Sequence, residues 1–241
     1  MLEAAIKYSD SLVPARFVNR LNRFMISCKL VRDGEEVEAH LPDSGRLKEL
    51  LISGKELYLL PNANPNRKTK FSAVCVERPD GLGWVSINSQ IPNKLAQLAF
   101  THYLLPSFRS WDYERAEFTK GHSRWDHLLK TKDEKMIVEV KGVTLADENQ
   151  KGFFPDAVTS RGTKHVLELI EINKEPKWRS ALLFVAQRED LTEIRPASHI
   201  DPKFAKALKE ASIAGVKIIA CRSEVTLKGI RLLDEIPVCI D

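Results

Sequence analysis

The stretch Ser123–Val143, SRWDHLLKTKDEKMIVEVKGV, constrains this chain more than any other. Two runs of strand formers flank Thr131–Glu134, a natural four-residue turn, so the segment predicts an antiparallel hairpin. Symmetric pairing about that turn sets Asp126 opposite Glu139 and Arg124 opposite Lys141. Side chains alternate along a strand, so positions 124, 126, 137, 139 and 141 are expected to share a face. Like charges directly opposed destabilise a sheet, and a cation bound between the two carboxylates is one way to compensate them. Mg²⁺ takes one or two carboxylates plus water and phosphate oxygens. The chemistry that suits this set is metal-assisted phosphodiester hydrolysis. Asp126 and Glu139 would hold Mg²⁺ or Mn²⁺, and Lys141 would orient or deprotonate the attacking water or stabilise charge on the phosphorane. Glu117, on the preceding strand, is a candidate further acid. Glu-x-Lys on a strand is most often a solvated face, but the mostly apolar run Met136–Val140 argues against that for Glu139.

A helix predicted from about Thr159 to Asn173 follows, carrying Arg161, Lys164, His165 and Glu168. Arg161 and His165 are i,i+4 neighbours, while Val166, Leu169 and Ile170 point elsewhere. That face either contacts phosphate above the site or is an ordinary solvated face. Pro155-Asp156 follows Glu139 in the chain, so it is not the proline-aspartate of a nuclease motif; its expected role is to set up the helix start.

Ahead of the hairpin the pattern is different. The run Arg16–Val31 is rich in strand formers, and Asp33-Gly34 signals a turn into Glu36–Leu41. Arg46–Ile52 fits a short helix, with Leu47, Leu50 and Leu51 at helical spacing and Asp43 or Ser44 as the cap. Strands are expected at Glu56–Leu60, Phe71–Glu77 and Trp84–Ile87. Short strands with one small helix suit a small antiparallel barrel, of which the OB-fold is the commonest nucleic-acid-binding form. His40 and Arg46 would contact phosphate or support the turn between them. Asn66–Lys70, with Arg67, Lys68 and Lys70, is a compact basic loop fit for phosphate contacts.

From Pro92, expected at a helix start, the order becomes helix, three strands, helix, strand, helix, strand, which implies a mixed sheet flanked by helices. The division falls near Gln90–Pro92, giving residues 1–90 and 91–241.

Charge adds little. The net value is +4, and residues 1–91 carry 13 basic and 11 acidic side chains against 24 and 22 in the remainder, so DNA affinity must come from local patches. No run approaches a membrane span, and the N-terminus lacks a signal-peptide core. Cys28, Cys75, Cys221 and Cys239 are widely spaced, as expected of reduced thiols in a cytoplasmic protein. There is no GxGxxG or Walker loop, so no nucleotide cofactor is expected. His102, His122, His127 and His199 have no ligand spacing and read as structural.

The segments NRFMISCKL, HLPDSGRLKELL, NPNRKTK, SRWDHLL, IVEVKGVTL and FFPDAVTSRGTKHVLELI resemble the sugar fermentation stimulation protein family over nearly the whole chain. The resemblance implies an α+β or α/β protein: an N-terminal OB-like β-barrel followed by a restriction-endonuclease-like mixed sheet of the PD-(D/E)xK nuclease type. It implies DNA as partner and a link to regulation of maltose metabolism. By position, Asp126, Glu139 and Lys141 match the nuclease-type core, Glu117 an acidic position before it, and Arg161 and His165 the family's helix. Asp126 follows Trp125 rather than proline, a departure from the superfamily motif. Two functions follow: a DNA-binding protein with a metal-dependent nuclease site, or a non-catalytic DNA-binding transcriptional regulator. An enzyme acting on a small phosphorylated molecule is a third reading, without a supporting signature. A homodimer stays open.

Overall fold

A computed structural model describes residues 3–64 and 66–240 of the chain; the basic loop's Pro65 lies outside them. The first unit is a barrel. Its strands are β2 (Val13–Asn22), β3 (Met25–Leu30), β4 (Glu36–His40), β5 (Glu56–Pro61) and β6 (Phe71–Glu77), with β7 (Trp84–Ser86) added to β6. Neighbours run antiparallel except where β4 meets β6 in parallel, Ala39 opposite Phe71, and closes the five-stranded ring. Closure removes the exposed strand edges. Alternate residues point inward, so Ala15, Phe17, Ile26, Cys28, Leu57 and Leu59 form the core.

Two expectations fail here. Arg16–Val31 is not one strand: the chain turns back between Asn22 and Met25, where the Asn22 side chain accepts the Phe24 N–H at 2.9 Å. Arg46–Ile52 is not a helix. It closes a single turn, with Leu51 N–H on the Leu47 carbonyl at 2.8 Å and Leu47 itself at φ +49°. Asp43 accepts the Gly45 N–H at 2.7 Å instead of capping a helix, and Leu47 and Leu50 are drawn into the barrel core. So short a helix is unstable without such support, and tertiary burial overrides its leucine spacing.

The second unit is a seven-stranded mixed sheet. Its elements are α1 (Ile91–Thr101), β8 (Asp112–Lys120), β9 (Ser123–Lys130), β10 (Lys135–Val143), α2 (Ser160–Lys174), β12 (Trp178–Ala186), α3 (Pro202–Ile213), β14 (Lys217–Val225) and β15 (Gly229–Ile236). A parallel two-stranded ribbon, β11 (Lys151–Phe154) with β13 (Glu193–Pro196), stands beside it. With β1 as Ala5–Lys7, the sheet order is β1-β15-β14-β12-β10-β9-β8, with β10, β12 and β14 parallel. β1 is an edge strand, so the chain begins its described fold in this sheet, leaves for the barrel and returns. The ribbon, β1 and β15 were not expected from periodicity; they are short or follow no clear alternation.

Helices cover both faces. Leu95, Ala99 and Phe100 of α1 pack on Val138, Val140 and Leu183. Val166 and Leu169 of α2 and Phe204 and Leu208 of α3 pack on Ile137, Leu182 and Phe184. Thr159 caps α2 by accepting the Gly162 N–H at 3.0 Å, and Asp201 caps α3 through Phe204 N–H, also at 3.0 Å. The helix expected from Pro92 ends at Thr101, and Tyr103 just beyond it turns to φ +55°. Cys28, Cys75 and Cys221 are free and buried. Among the described residues no helix is long and apolar enough to cross a membrane.

His127 on β9 is 2% exposed, its ring 5.4 Å from Phe100 and 5.9 Å from Tyr113. Burial lowers its pKa to about 4, against weaker opposition from the Asn93 backbone and the Glu139 charge. A base with a lowered folded-state pKa costs stability as pH falls, here from about 6.5 to about 4. His127→Phe is expected to gain on the wild type over that window by up to about 3 kcal/mol, with no pH-dependent difference above pH ~7. Urea titrations at several pH values check this; a constant difference refutes it.

Candidate active site

The hairpin pairs as its turn requires: Lys135 faces Lys130, Met136 Leu129, Ile137 Leu128 and Val138 His127. There the β9–β10 ladder stops, although β10 continues against β12 as far as Val143. The strands part where Asp126 and Glu139 would meet. Asp126 occupies the seam: Oδ2 accepts the Val140 N–H at 2.8 Å, and Oδ1 accepts from Asn93 Nδ2 of α1 at 3.1 Å. A side-chain carboxylate thus takes the backbone donor that the departing strand no longer satisfies. The expectation that Asp126 simply shares a face with Glu139 is corrected, since Asp126 reaches toward α1 and Glu139 toward α2.

Glu139 is 4% exposed. Its Oε1 meets His165 Nδ1 at 2.7 Å and forms an ion pair with Lys141, its neighbour two positions along the same face. Trp125 backs the imidazole, ring centres 5.3 Å apart, and Arg161 Nε lies 3.5 Å from His165 Nε2. Burial pushes the Glu139 carboxyl up, but the His165 hydrogen bond and Lys141 outweigh it and leave the pKa below the usual range. Asp126 goes the other way. Burial first and the Glu139 charge second raise it to about 6, against the Val140 N–H, Lys141 and Asn93. These are two coupled acids in unlike environments. Among the described residues no group of three His, Cys, Asp or Glu side chains could hold a metal. Asp126 and Glu139 offer only oxygen donors and feel each other's charge, and oxygen is the donor type that a Mg²⁺-type ion takes.

The remaining candidates scatter. Glu117, at φ +52°, is exposed and ion-pairs with Arg124 at 3.6 Å; neither side chain joins Glu139 and Lys141. His165 is buried in the site rather than lying on a solvated face, whereas Lys164 is exposed and pairs with Glu168 at 3.5 Å. His40 braces the β2–β3 turn, Nδ1 at 3.1 Å from the Phe24 carbonyl. Arg67 bonds Asn62 at 2.9 Å within its loop, where Lys68 and Lys70 are exposed.

Asp156 was expected to start α2, but Thr159 does that. The Asp156 carboxylate instead crosses to the barrel and accepts the Arg46 N–H at 2.7 Å. A Cβ on Gly45 would stand 2.7 Å from Asp156 Oδ2, so a larger residue there would have to displace the carboxylate that holds the Arg46 N–H. Ser86 N–H on the Gln187 carbonyl, 2.9 Å, and the buried Arg78–Asp190 pair, 3.2 Å, tie the units further. Between them opens a cleft of about 420 Å³, with Lys141 on one wall and the Asp43–Gly45 loop on the other. Asn93 and Asp156 were missed as site residues because their partners lie 33 and 110 positions away.

Comparison with known proteins agrees with this architecture. The family described as "Sugar fermentation stimulation protein RE domain" matches residues 90–229, and "SfsA N-terminal OB domain" matches residues 18–87. A sugar fermentation stimulation protein homolog of Shouchella clausii is 44% identical over 95% of this chain and 98% of its own. One from Acetivibrio thermocellus is 40% identical over 98% and 100%. The solved structure of Pyrococcus furiosus SfsA in complex with Ca²⁺ superposes with a TM-score of 0.87 at 27% identity, covering all of both chains. The chain belongs to the sugar fermentation stimulation protein family, with an OB barrel followed by a restriction-endonuclease-like sheet.

His165→Ala should cost about 2 kcal/mol at neutral pH, because it removes a hydrogen bond to a buried charge. Glu139 has a lowered folded-state pKa, so its contribution is present above about 4.5 and fades as pH falls through that lowered value. Denaturant titration at neutral and acid pH checks this: the penalty is expected to shrink on acidification.

Proposed function

We propose, with that family membership as premise, that the protein binds DNA and hydrolyses phosphodiester bonds at Asp126, Glu139 and Lys141, using Mg²⁺ or Mn²⁺. The observation that carries this reading is half-buried Asp126 in the parted strand seam with buried Glu139 next to it, and Lys141 beside Glu139 at an open cleft. The Ca²⁺ in the Pyrococcus furiosus relative supports it, since Ca²⁺ and Mg²⁺ both prefer oxygen ligands.

Asp126 and Glu139 would hold the ion, which when bound supplies Lewis acidity at the phosphate. The chain does the rest. Val140 N–H and Asn93 fix the Asp126 carboxylate in the seam. His165 and Lys141 keep Glu139 ionised despite its burial. The Lys141 ammonium, partly exposed beside Glu139, orients the attacking water or offsets charge on the phosphate. Arg161 on α2 and Arg67, Lys68 and Lys70 on the barrel contribute phosphate contacts; His40 and Arg46 act mainly by holding the barrel loops that face the cleft. Glu117, directed to solvent, serves at most as an outer acid.

A second reading has its own observation: Glu139 Oε1 is already shared by His165 and Lys141, as in a site kept for binding. That protein would be a DNA-binding regulator of sugar metabolism. Incubation with single-stranded, double-stranded and branched DNA in Mg²⁺, Mn²⁺ or EDTA separates the two. Cleavage that needs the metal and falls by about 10²-fold or more in Asp126→Ala and Lys141→Ala is the expected outcome. Binding without cleavage of any substrate selects the regulator, and absence of binding rejects both. Arg67→Ala with Lys68→Ala should lower the slope of log K against log salt by about 2 on duplex DNA; an unchanged slope removes the loop from the interface.

A further inference from the structure

The cleft holds groups that the chemistry at Asp126 does not use. It lies beyond the carboxyl ends of the parallel strands β10 and β12, where open α/β sheets bind ligands. Gln187, just past the end of β12, lines it and is 2% exposed. Its amide Oε1 is buried and has no hydrogen-bond partner among the described residues. An orphaned buried acceptor is destabilising, and a ligand donor would relieve it. The amide's seat depends on Gly142: a Cβ there would stand 3.0 Å from Pro92 Cγ and 3.2 Å from Gln187 Nε2. Since an amide can turn end for end, Gln187 can offer a donor or an acceptor to what enters.

The walls separate two chemistries. Asp43 and Asp156 line the interior, and their charges repel a phosphate but accept from N–H groups. Lys141 and Arg23 are the cations of the lining. Arg23 lies 5.6 Å over the ring of half-exposed Phe24, and such an arginine–aromatic pair is a platform on which bases stack. About 420 Å³ is the size of a small-ligand pocket, which matches one nucleotide and not a stacked helical segment.

We propose that this cleft seats one unpaired nucleotide of a nucleic-acid strand. The base enters against Gln187, and its phosphate stays with Arg23 and Lys141. The substrate class is then a single strand, or a duplex from which one nucleotide has swung out. The inference deepens the DNA reading above and rests on it.

Fluorescence anisotropy in EDTA tests binding without any hydrolysis. The probes are a short single strand, the blunt duplex of the same sequence, and a strand with an abasic sugar–phosphate backbone. Gln187→Leu is expected to weaken the single strand about tenfold, while changing the duplex and the abasic strand less than about twofold. Equal loss on all three probes, or no loss on the base-bearing strand, overturns the proposal. Arg23→Ala, a surface change that leaves the core intact, should weaken the base-bearing and abasic strands alike; no effect on either refutes the phosphate placement. Free deoxyadenosine monophosphate should compete only at far higher concentration than the strand; competition at equal concentration assigns the cleft to a free nucleotide and overturns the strand. Failure of the two readings is distinguishable. If metal never yields cleavage but the Gln187 effect holds, the cleft stands without hydrolysis. If duplex is cut as fast as single strand and Gln187→Leu changes nothing, the cleft proposal falls and the nuclease stands.

Discussion

The Val140 N–H is the point on which the site turns. β9 leaves β10 after the Val138–His127 pair, and a buried backbone donor left behind there would destabilise the sheet. Asp126 supplies the acceptor. One hydrogen bond therefore ends the ladder, opens the seam and plants a carboxylate in it. Asn93, from the first turn of α1, fixes the other oxygen, so the site is locked to the helix packed on that face.

Everything around the seam balances buried charge. An isolated buried carboxylate costs several kcal/mol, and two of them repel as well. The protein treats them differently. Glu139 is kept ionised by His165 and Lys141, while burial and the Glu139 charge raise Asp126 to about 6. Groups pushed apart in this way can take unlike parts in acid–base or metal chemistry. His165 belongs to α2, so the ionisation of Glu139 depends on a helix packed against the opposite face of the sheet from α1.

Much of this was legible in the sequence, because strand alternation is local. The Thr131–Glu134 turn set the register of the hairpin, and the apolar runs located the central strands. The parting of the strands was not legible, since strand patterning does not reveal that the Asp126 side chain takes the Val140 N–H in place of the ladder. Leucine spacing over Arg46–Ile52 described a helix correctly in isolation and wrongly in place, because the barrel core claimed Leu47 and Leu50. Asp156 looked like a helix-starting residue for the same reason: the nearby sequence fits that role, whereas its true partner, the Arg46 N–H, belongs to the other unit. His165 was read on a face turned away from Val166, Leu169 and Ile170, yet all four lie on the buried side of α2, because nothing local told a buried contact with Glu139 from exposure to solvent.

The short strand Ala5–Lys7 has a consequence for motion. Because it pairs with β15, the barrel is an insertion within the nuclease-like unit, joined through residues 8–12 on the way out and 87–90 on the way back. A module on one tether can swivel freely about it. Two tethers remove that freedom, and the Arg46–Asp156, Ser86–Gln187 and Arg78–Asp190 contacts lie on the same seam. The Asp43–Gly45 loop is thereby held opposite Lys141 by two covalent passages as well as by bonds between the units. The alignment of the cleft walls is a property of the chain's path and not of one contact.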